Sequence, residues 1–124
     1  MANELVCLDT SVLIDYFRKT KKENSFFFEL TNQYSSFAIS IITEFEIRCG
    51  STKQQQAFWD TFFQSTLIIP FDEKSNIEAV KIFQELKKNN SLIGATAKAY
   101  ELKLATLNEK DFAKIKELEL LTKK

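Results

Sequence analysis

Short apolar runs of strand length alternate with longer helical patterns along this chain, and that alternation limits its fold more than any other feature. Residues 5–8, 36–39, 66–69 and 103–106 read as strands, and residues 119–121 as an edge strand. Helical periodicity occupies residues 12–18, 21–32, 41–49, 52–64, 73–88, 92–101 and 111–116. The alternation predicts an α/β protein: a three-layer α/β/α sandwich around a mostly parallel sheet of four to five strands. Ligand sites of such sheets lie at the carboxyl ends of the strands. That rule selects the loops holding Asp9, Ser40, Pro70 to Asp72, and Thr106 to Asp111.

Local signals set the boundaries. Asp9, Thr10 or Ser11 is the N-cap of the first helix, Ser40 caps the helix over 41–49, and Asp72 caps the one over 73–88. Gly50 stops the 41–49 helix, and Asn89-Asn90 breaks the next long one. Ile41, Ile42, Phe45 and Cys49 form the apolar stripe expected to pack, with Glu46 beside it; Ile77, Val80, Phe83 and Leu86 share one face of the later helix. Three consecutive Phe at 26–28 cannot all enter one core, so at least one is exposed or at an interface.

The 124 residues are read as one domain spanning 1–124, and a 44% apolar, 27% charged composition supplies a core for it. Twelve of the aromatics are Phe, read first as packing. There is no His, which removes Ser-His-Asp triads, Cys-His pairs and His-ligated zinc. Any catalysis falls to carboxylates, Lys, Tyr, Cys or hydroxyls. Seventeen basic residues balance seventeen acidic ones, so a whole-molecule basic footprint for nucleic acid is missing. Cys7 and Cys49 sit in apolar stretches and read as buried free thiols of a reducing compartment. The N-terminus lacks a basic n-region, and no apolar run approaches the roughly 18–20 residues of a membrane span. These features point to a cytoplasmic protein.

Three acids stand where the sheet rule places sites. Asp9 follows the first strand, Glu46 flanks the apolar stripe of the helix after the second, and Asp111 opens a short helix after the fourth. Each has an ordinary reading alone: a helix cap for Asp9 and Asp111, a solvated edge residue for Glu46. Together they would meet at one sheet edge and repel unless a cation sat between them. Oxygen ligands without His or Cys suit Mg²⁺ or Mn²⁺, whose work at such sites is phosphodiester chemistry. Asp9 after a first strand also invites a phosphoacceptor reading of receiver type, against which Glu46 and Asp111 speak.

The sequence Leu8-Asp9-Thr10-Ser11-Val12-Leu13-Ile14-Asp15 resembles the opening of PIN domains, specifically the VapC-type toxins of bacterial toxin–antitoxin pairs. Ser40 to Gly50 resembles the second motif, in which a Thr precedes the acid by three residues, so the acid is Glu46 and not Glu44. Leu92-Ile93-Gly94-Ala95-Thr96-Ala97 and Leu104 to Phe112 are similar to the third and fourth motifs. The resemblance covers nearly the whole chain in order. It implies a PIN sandwich and a metal-dependent endoribonuclease. Asp9, Glu46 and Asp111 would hold Mg²⁺ or Mn²⁺, with Thr10, Ser11, Thr106 and Asn108 in support. It also implies an RNA substrate, a cognate antitoxin covering the site, and a homodimer.

The family has a further Asp two residues before the Leu-Ile of the third motif; here that position is Asn90, after an unusually short turn. Asn offers a neutral oxygen, which weakens the pull on a divalent cation. The alternative is therefore an impaired PIN-fold protein that binds antitoxin or RNA without cleaving. The basic run Arg18, Lys19, Lys21 and Lys22 follows the first helix, where it reads either as phosphate contact or as a solvated loop. Asp15 is read as structural, paired with Arg18.

Overall fold

A computed structural model describes residues 2–87 and 91–123. Five strands alternate with helices: β1 (Ala2–Leu8), β2 (Tyr34–Ser40), β3 (Leu67–Ile69), β4 (Lys103–Thr106) and β5 (Leu120–Thr122). They form one sheet of order β3-β2-β1-β4-β5, and every neighbouring pair is parallel. The helices between them are α1 (Thr10–Arg18), α2 (Phe26–Thr31), α3 (Ile41–Cys49), α4 (Lys53–Gln64), α5 (Glu73–Leu86), α6 (Leu92–Ala99) and α7 (Glu109–Phe112). This is the α/β/α architecture that the alternation predicts.

Strand side chains alternate between two cores, one on each face of the sheet. Val6 and Leu8 of β1 and Ala105 of β4 join Val12, Leu13, Phe26, Leu30, Ile47, Trp59 and Phe63. Cys7 and Leu104, between them in the strands, join Ile82, Ile93, Ala95, Ala97, Phe112 and Ile115. Burial on both faces is why residues 5–8 are continuously apolar rather than alternating. The Phe-rich composition is indeed packing on the first face. Tyr16, Phe17, Phe27, Phe58, Trp59, Phe62 and Phe63 form a web of ring pairs with centroids 5.0–6.1 Å apart. Of the Phe triplet, Phe26 is buried and Phe28 is exposed.

On the other face, Gly94 lets α6 approach closely. A Cβ there would stand 2.9 Å from Ile115 Cδ1 and 3.0 Å from Phe112 Cδ1, inside ordinary contact distance.

Several local expectations are corrected. The helix expected over 21–32 is a 3-10 turn (Lys22–Asn24) and then α2, because Ser25 caps a new start by accepting from Phe28 N. α3 turns a different face inward: Thr43 and Ile47 are buried, while Ile41, Phe45 and Cys49 are exposed. Cys49 is therefore a surface thiol, and only Cys7 is a buried one. α5 likewise exposes Ile77, Val80 and Phe83 and buries Ser75 and Ile82. In both helices the longest apolar stripe is not the one the neighbouring elements cover. Gly50 ends α3 at φ −87°, so no left-handed conformation demands glycine there. The helix expected over 111–116 ends at Phe112 and gives way to turns before β5. The break at Asn89-Asn90 lies outside the described residues.

Candidate active site

The ends of β1 and β4 are tied together where Asp9 begins α1. Asp9 N donates to Ala105 O at 2.9 Å. Asp9 occupies the N-cap position with extended backbone, but its side chain makes no capping bond. The helix-cap explanation for this acid therefore fails. Its Oδ2 instead accepts from Ser11 Oγ at 2.6 Å and Thr106 Oγ1 at 2.8 Å. Leu107 N donates to Ser11 Oγ at 3.1 Å and Asn108 N to Thr106 Oγ1 at 2.9 Å, so the loop after β4 orients the same hydroxyls. Asp9 is 5% exposed and, among the described residues, has no ion-pair partner. A buried carboxylate held only by neutral donors retains an unbalanced charge. That charge reaches Cys7 beneath it: burial first, and then the field of Asp9, push the Cys7 thiol up to about 12.

Glu46 reaches the same place from α3. Its Oε1 accepts from Thr10 Oγ1, the first residue of α1, at 2.6 Å. Asp111 arrives on α7, where its backbone N–H donates to Asn108 O at 3.0 Å. One open cleft of about 730 Å³ is lined by Asp9, Glu46 and Asp111 together with Thr10, Ser11 and Asn108. Thr106 lies buried below its floor.

Among the described residues, no three acidic or thiol side chains stand close enough to enclose an ion by themselves. Mg²⁺ does not require that: it commonly keeps several waters and takes one or two carboxylates. The donor set here is carboxylates, hydroxyls and an amide, all oxygen, which fits a hard cation completed by water. Asn90 lies outside the described residues.

The basic run divides. Arg18 and Lys19 line the cleft beside the acids, Lys19 being paired with Asp15 at 3.6 Å. Lys21 is exposed and apart from it. Lys22 is committed elsewhere, which corrects its reading as an RNA contact. Its Nζ donates to the carbonyls of Tyr16, Phe17 and Lys19 at 2.7, 2.8 and 3.0 Å, closing the C-terminal end of α1.

Asp15 pairs with Lys19 rather than Arg18, accepts from Phe26 N at 3.0 Å, and also lines the cleft. Sequence reasoning assigned no role to Thr43, which is buried under Thr10 with its Oγ1 3.1 Å from Thr10 Oγ1. Its place in the second motif was the available signal.

The PIN-domain profile matches residues 6–118. The chain is 37% identical to Ribonuclease VapC1 of Methanocaldococcus jannaschii, over 93% of this chain and 84% of that protein. A solved structure of VapBC2 from Rickettsia felis bound to a promoter DNA fragment contains a similar chain. That match has a TM-score of 0.82 and 27% identity, and it covers 97% of this chain and 99% of that one. A toxin–antitoxin complex from Klebsiella pneumoniae gives a TM-score of 0.78 and 31% identity, covering 94% and 96%. The chain belongs to the PIN-domain family.

Proposed function

We propose that this chain is a single-domain, metal-dependent endoribonuclease of VapC type, the toxin of a toxin–antitoxin pair. The observation that carries the reading is Asp9: nearly buried, positioned by two hydroxyls, without a counter-charge among the described residues, and opening on a cleft that Glu46 and Asp111 share.

Asp9, Glu46 and Asp111 would hold Mg²⁺ or Mn²⁺, and Asn90 takes the place of a further carboxylate. Bound there, the ion supplies activation of a water and neutralisation of charge on the scissile phosphate. Ser11 and Thr106 fix the Asp9 carboxylate so that it does not swing away from the cleft. Thr10 does the same for Glu46. Asn108 adds a neutral oxygen at the rim. Arg18 and Lys19 meet the RNA backbone, whose phosphates would otherwise face a cleft of acids. Water has free access from solvent. Hydrolysis leaves a 5′-phosphate and a 3′-hydroxyl.

The partner is a small antitoxin that covers the cleft, and the apolar side chains exposed on α3 and α5 suit a second copy of the chain. Among the described residues no helix is long and apolar enough to cross a membrane. We place the protein in the cytoplasm, where its RNA substrate is.

The test is a mixed RNA pool incubated with purified protein and Mn²⁺, with EDTA as control and end-group analysis of the products. EDTA-sensitive fragments bearing 5′-phosphates support the reading. The sequence favours one alternative through Asn90: a PIN fold that binds antitoxin or RNA without cleaving. Cleavage by Asn90→Asp alone establishes that alternative, and cleavage by neither protein removes the nuclease reading.

A further inference from the structure

A second cavity, of about 300 Å³, adjoins the acid cleft between α1, α3 and α4; Ile14, Arg18 and Glu46 line both. The hydrolysis proposed above makes no use of it. Its size is at the low end for small-molecule sites, which run about 300–1,000 Å³. Its floor is apolar, with Trp59 buried, while Phe17 in the wall is only half-buried and keeps part of its ring uncovered.

The polar groups around this floor are mostly donors. Gln55 Oε1 accepts from Thr52 N at 3.0 Å, as half of the capping box that starts α4. That bond assigns the amide: the oxygen serves the backbone, and Nε2, with two N–H groups, is the end left for a ligand. Ser51 directs its hydroxyl to Ile47 O at 2.6 Å. Arg18 is exposed and has no ion-pair partner among the described residues, so its N–H groups are free as well.

An apolar slot rimmed by N–H donors fits a flat ring with acceptors along its edge. Single-stranded RNA supplies such rings, because its bases can be splayed out, laid on an aromatic side chain and read along their edges. The bases differ in what they offer. Guanine presents O6 and N7, two neighbouring acceptors, whereas adenine presents N7 beside the N6 donor. Gln reads adenine by using both its oxygen and its nitrogen. Here the oxygen is engaged, so the adenine N6 group would meet donors.

We propose that this cavity is a base-selecting subsite: it takes a base next to the scissile phosphate, lays it on Phe17, and prefers guanine to adenine through Gln55 Nε2 and Arg18. The proposal rests on the reading of the chain as a ribonuclease.

The experiment sequences the cut ends of a random single-stranded RNA pool digested with Mn²⁺ by wild type and by Gln55→Glu, with thermal unfolding of each. Glu still accepts from Thr52 N, so the capping box survives, while the donors become an acceptor that suits adenine N6. Alongside, binding of an oligoadenylate and of the same strand with one central guanine is measured by anisotropy in EDTA. In wild type, guanine should exceed adenine by about 10-fold at one position beside the cut, and Gln55→Glu should bring the two at least to parity.

Absence of that bias in wild type overturns the proposal. So does a bias that Gln55→Glu leaves intact, which would assign the cavity to a protein partner instead. If Gln55→Glu does not fold, Arg18→Met takes its place, and an unchanged bias there overturns the proposal equally. Wild-type protein that cleaves nothing overturns the nuclease reading, and the oligonucleotides then decide the subsite. Tighter binding of the guanine strand, lost in Gln55→Glu, supports it; equal binding of both strands overturns it too.

Discussion

Thr106 and Asp9 are 97 positions apart in the chain, yet Thr106 Oγ1 donates to Asp9 Oδ2 across 2.8 Å. The bond exists because β1 and β4 are adjacent and parallel, with Leu8 beside Ala105 in register. The sheet therefore delivers the hydroxyl to the carboxylate, and neither side chain must search for the other. Thr106→Val keeps the shape and removes the donor. It should lower RNA cleavage by about 10- to 100-fold in steady-state assays. Wild-type rates in Thr106→Val would mean that Ser11 alone orients Asp9.

Lys22 serves stability rather than RNA. Removing the ammionium from three backbone carbonyls at the end of α1 leaves orphan acceptors and an uncompensated helix end. Lys22→Met should lower Tm by about 5 °C, from about 1 kcal/mol for a domain of this size. It should leave the salt dependence of RNA binding unchanged. Arg18→Ala, at the cleft, should do the reverse and reduce the salt slope by about one. RNA binding measured from 50 to 200 mM salt, on the order used for such slopes, separates the two.

The two thiols should differ in reactivity. Cys49 is exposed, whereas Cys7 is buried and pushed up to about 12 by burial and the charge of Asp9. Only a thiolate attacks alkylating reagents. Native protein at about pH 8 should therefore label once, at Cys49, and denatured protein twice. The same shift has a sign for stability. A raised folded pKa contributes stability that is fully present below the ordinary value of 9.0 and is lost as the pH rises towards about 12. Rapid native labelling of Cys7 would contradict the packing described.

Tyr100 O–H donates to the Asp72 carboxylate, which also caps α5 through Ser75 N at 3.1 Å. The shared bond holds Asp72 below its ordinary 3.8 and lifts Tyr100 above its ordinary 10.0. A depressed carboxylate gives stability that is present above 3.8 and is lost as the pH falls. A raised phenol gives stability that is present below 10.0 and is lost as the pH rises. The Tm difference between wild type and Tyr100→Phe should then be flat from about pH 5 to 9 and shrink on both sides. A difference that widens at either extreme contradicts the assignment.

How much of this was legible in the sequence depended on what each signal measures. Residues 5–8 announced themselves because a strand buried on both faces is apolar at every position, while 103–106 showed only the Leu104-Ala105 pair between Lys103 and Thr106. Asp9 and Asp111 could be chosen because acids after parallel strands meet at the carboxyl edge of the sheet, and Glu46 because the second-motif spacing from Thr43 selects it over Glu44. The inward face of α3 could not be read that way. Its apolar stripe of Ile41, Phe45 and Cys49 faces out, and Thr43 faces in, because neighbours decide which stripe is covered. Ile47→Ala should accordingly cost about 2–5 kcal/mol, and Phe45→Ala, at a side chain 66% exposed, much less. Lys22 was equally illegible, since a basic run looks the same whether its ammonium groups face solvent or backbone carbonyls.

The proposed function requires Asp9, Glu46 and Asp111 to act as one site on RNA. Its most direct test is single-turnover cleavage of one RNA with Mn²⁺ by wild type, Asp9→Asn, Glu46→Gln and Asp111→Asn, with unfolding curves for each. Wild type should cleave in an EDTA-sensitive way. Every single variant should lose at least about 100-fold while folding as wild type, since each removes several kcal/mol of charge stabilisation. Cleavage at the wild-type rate by any one of the three variants, or cleavage that survives EDTA, would contradict it.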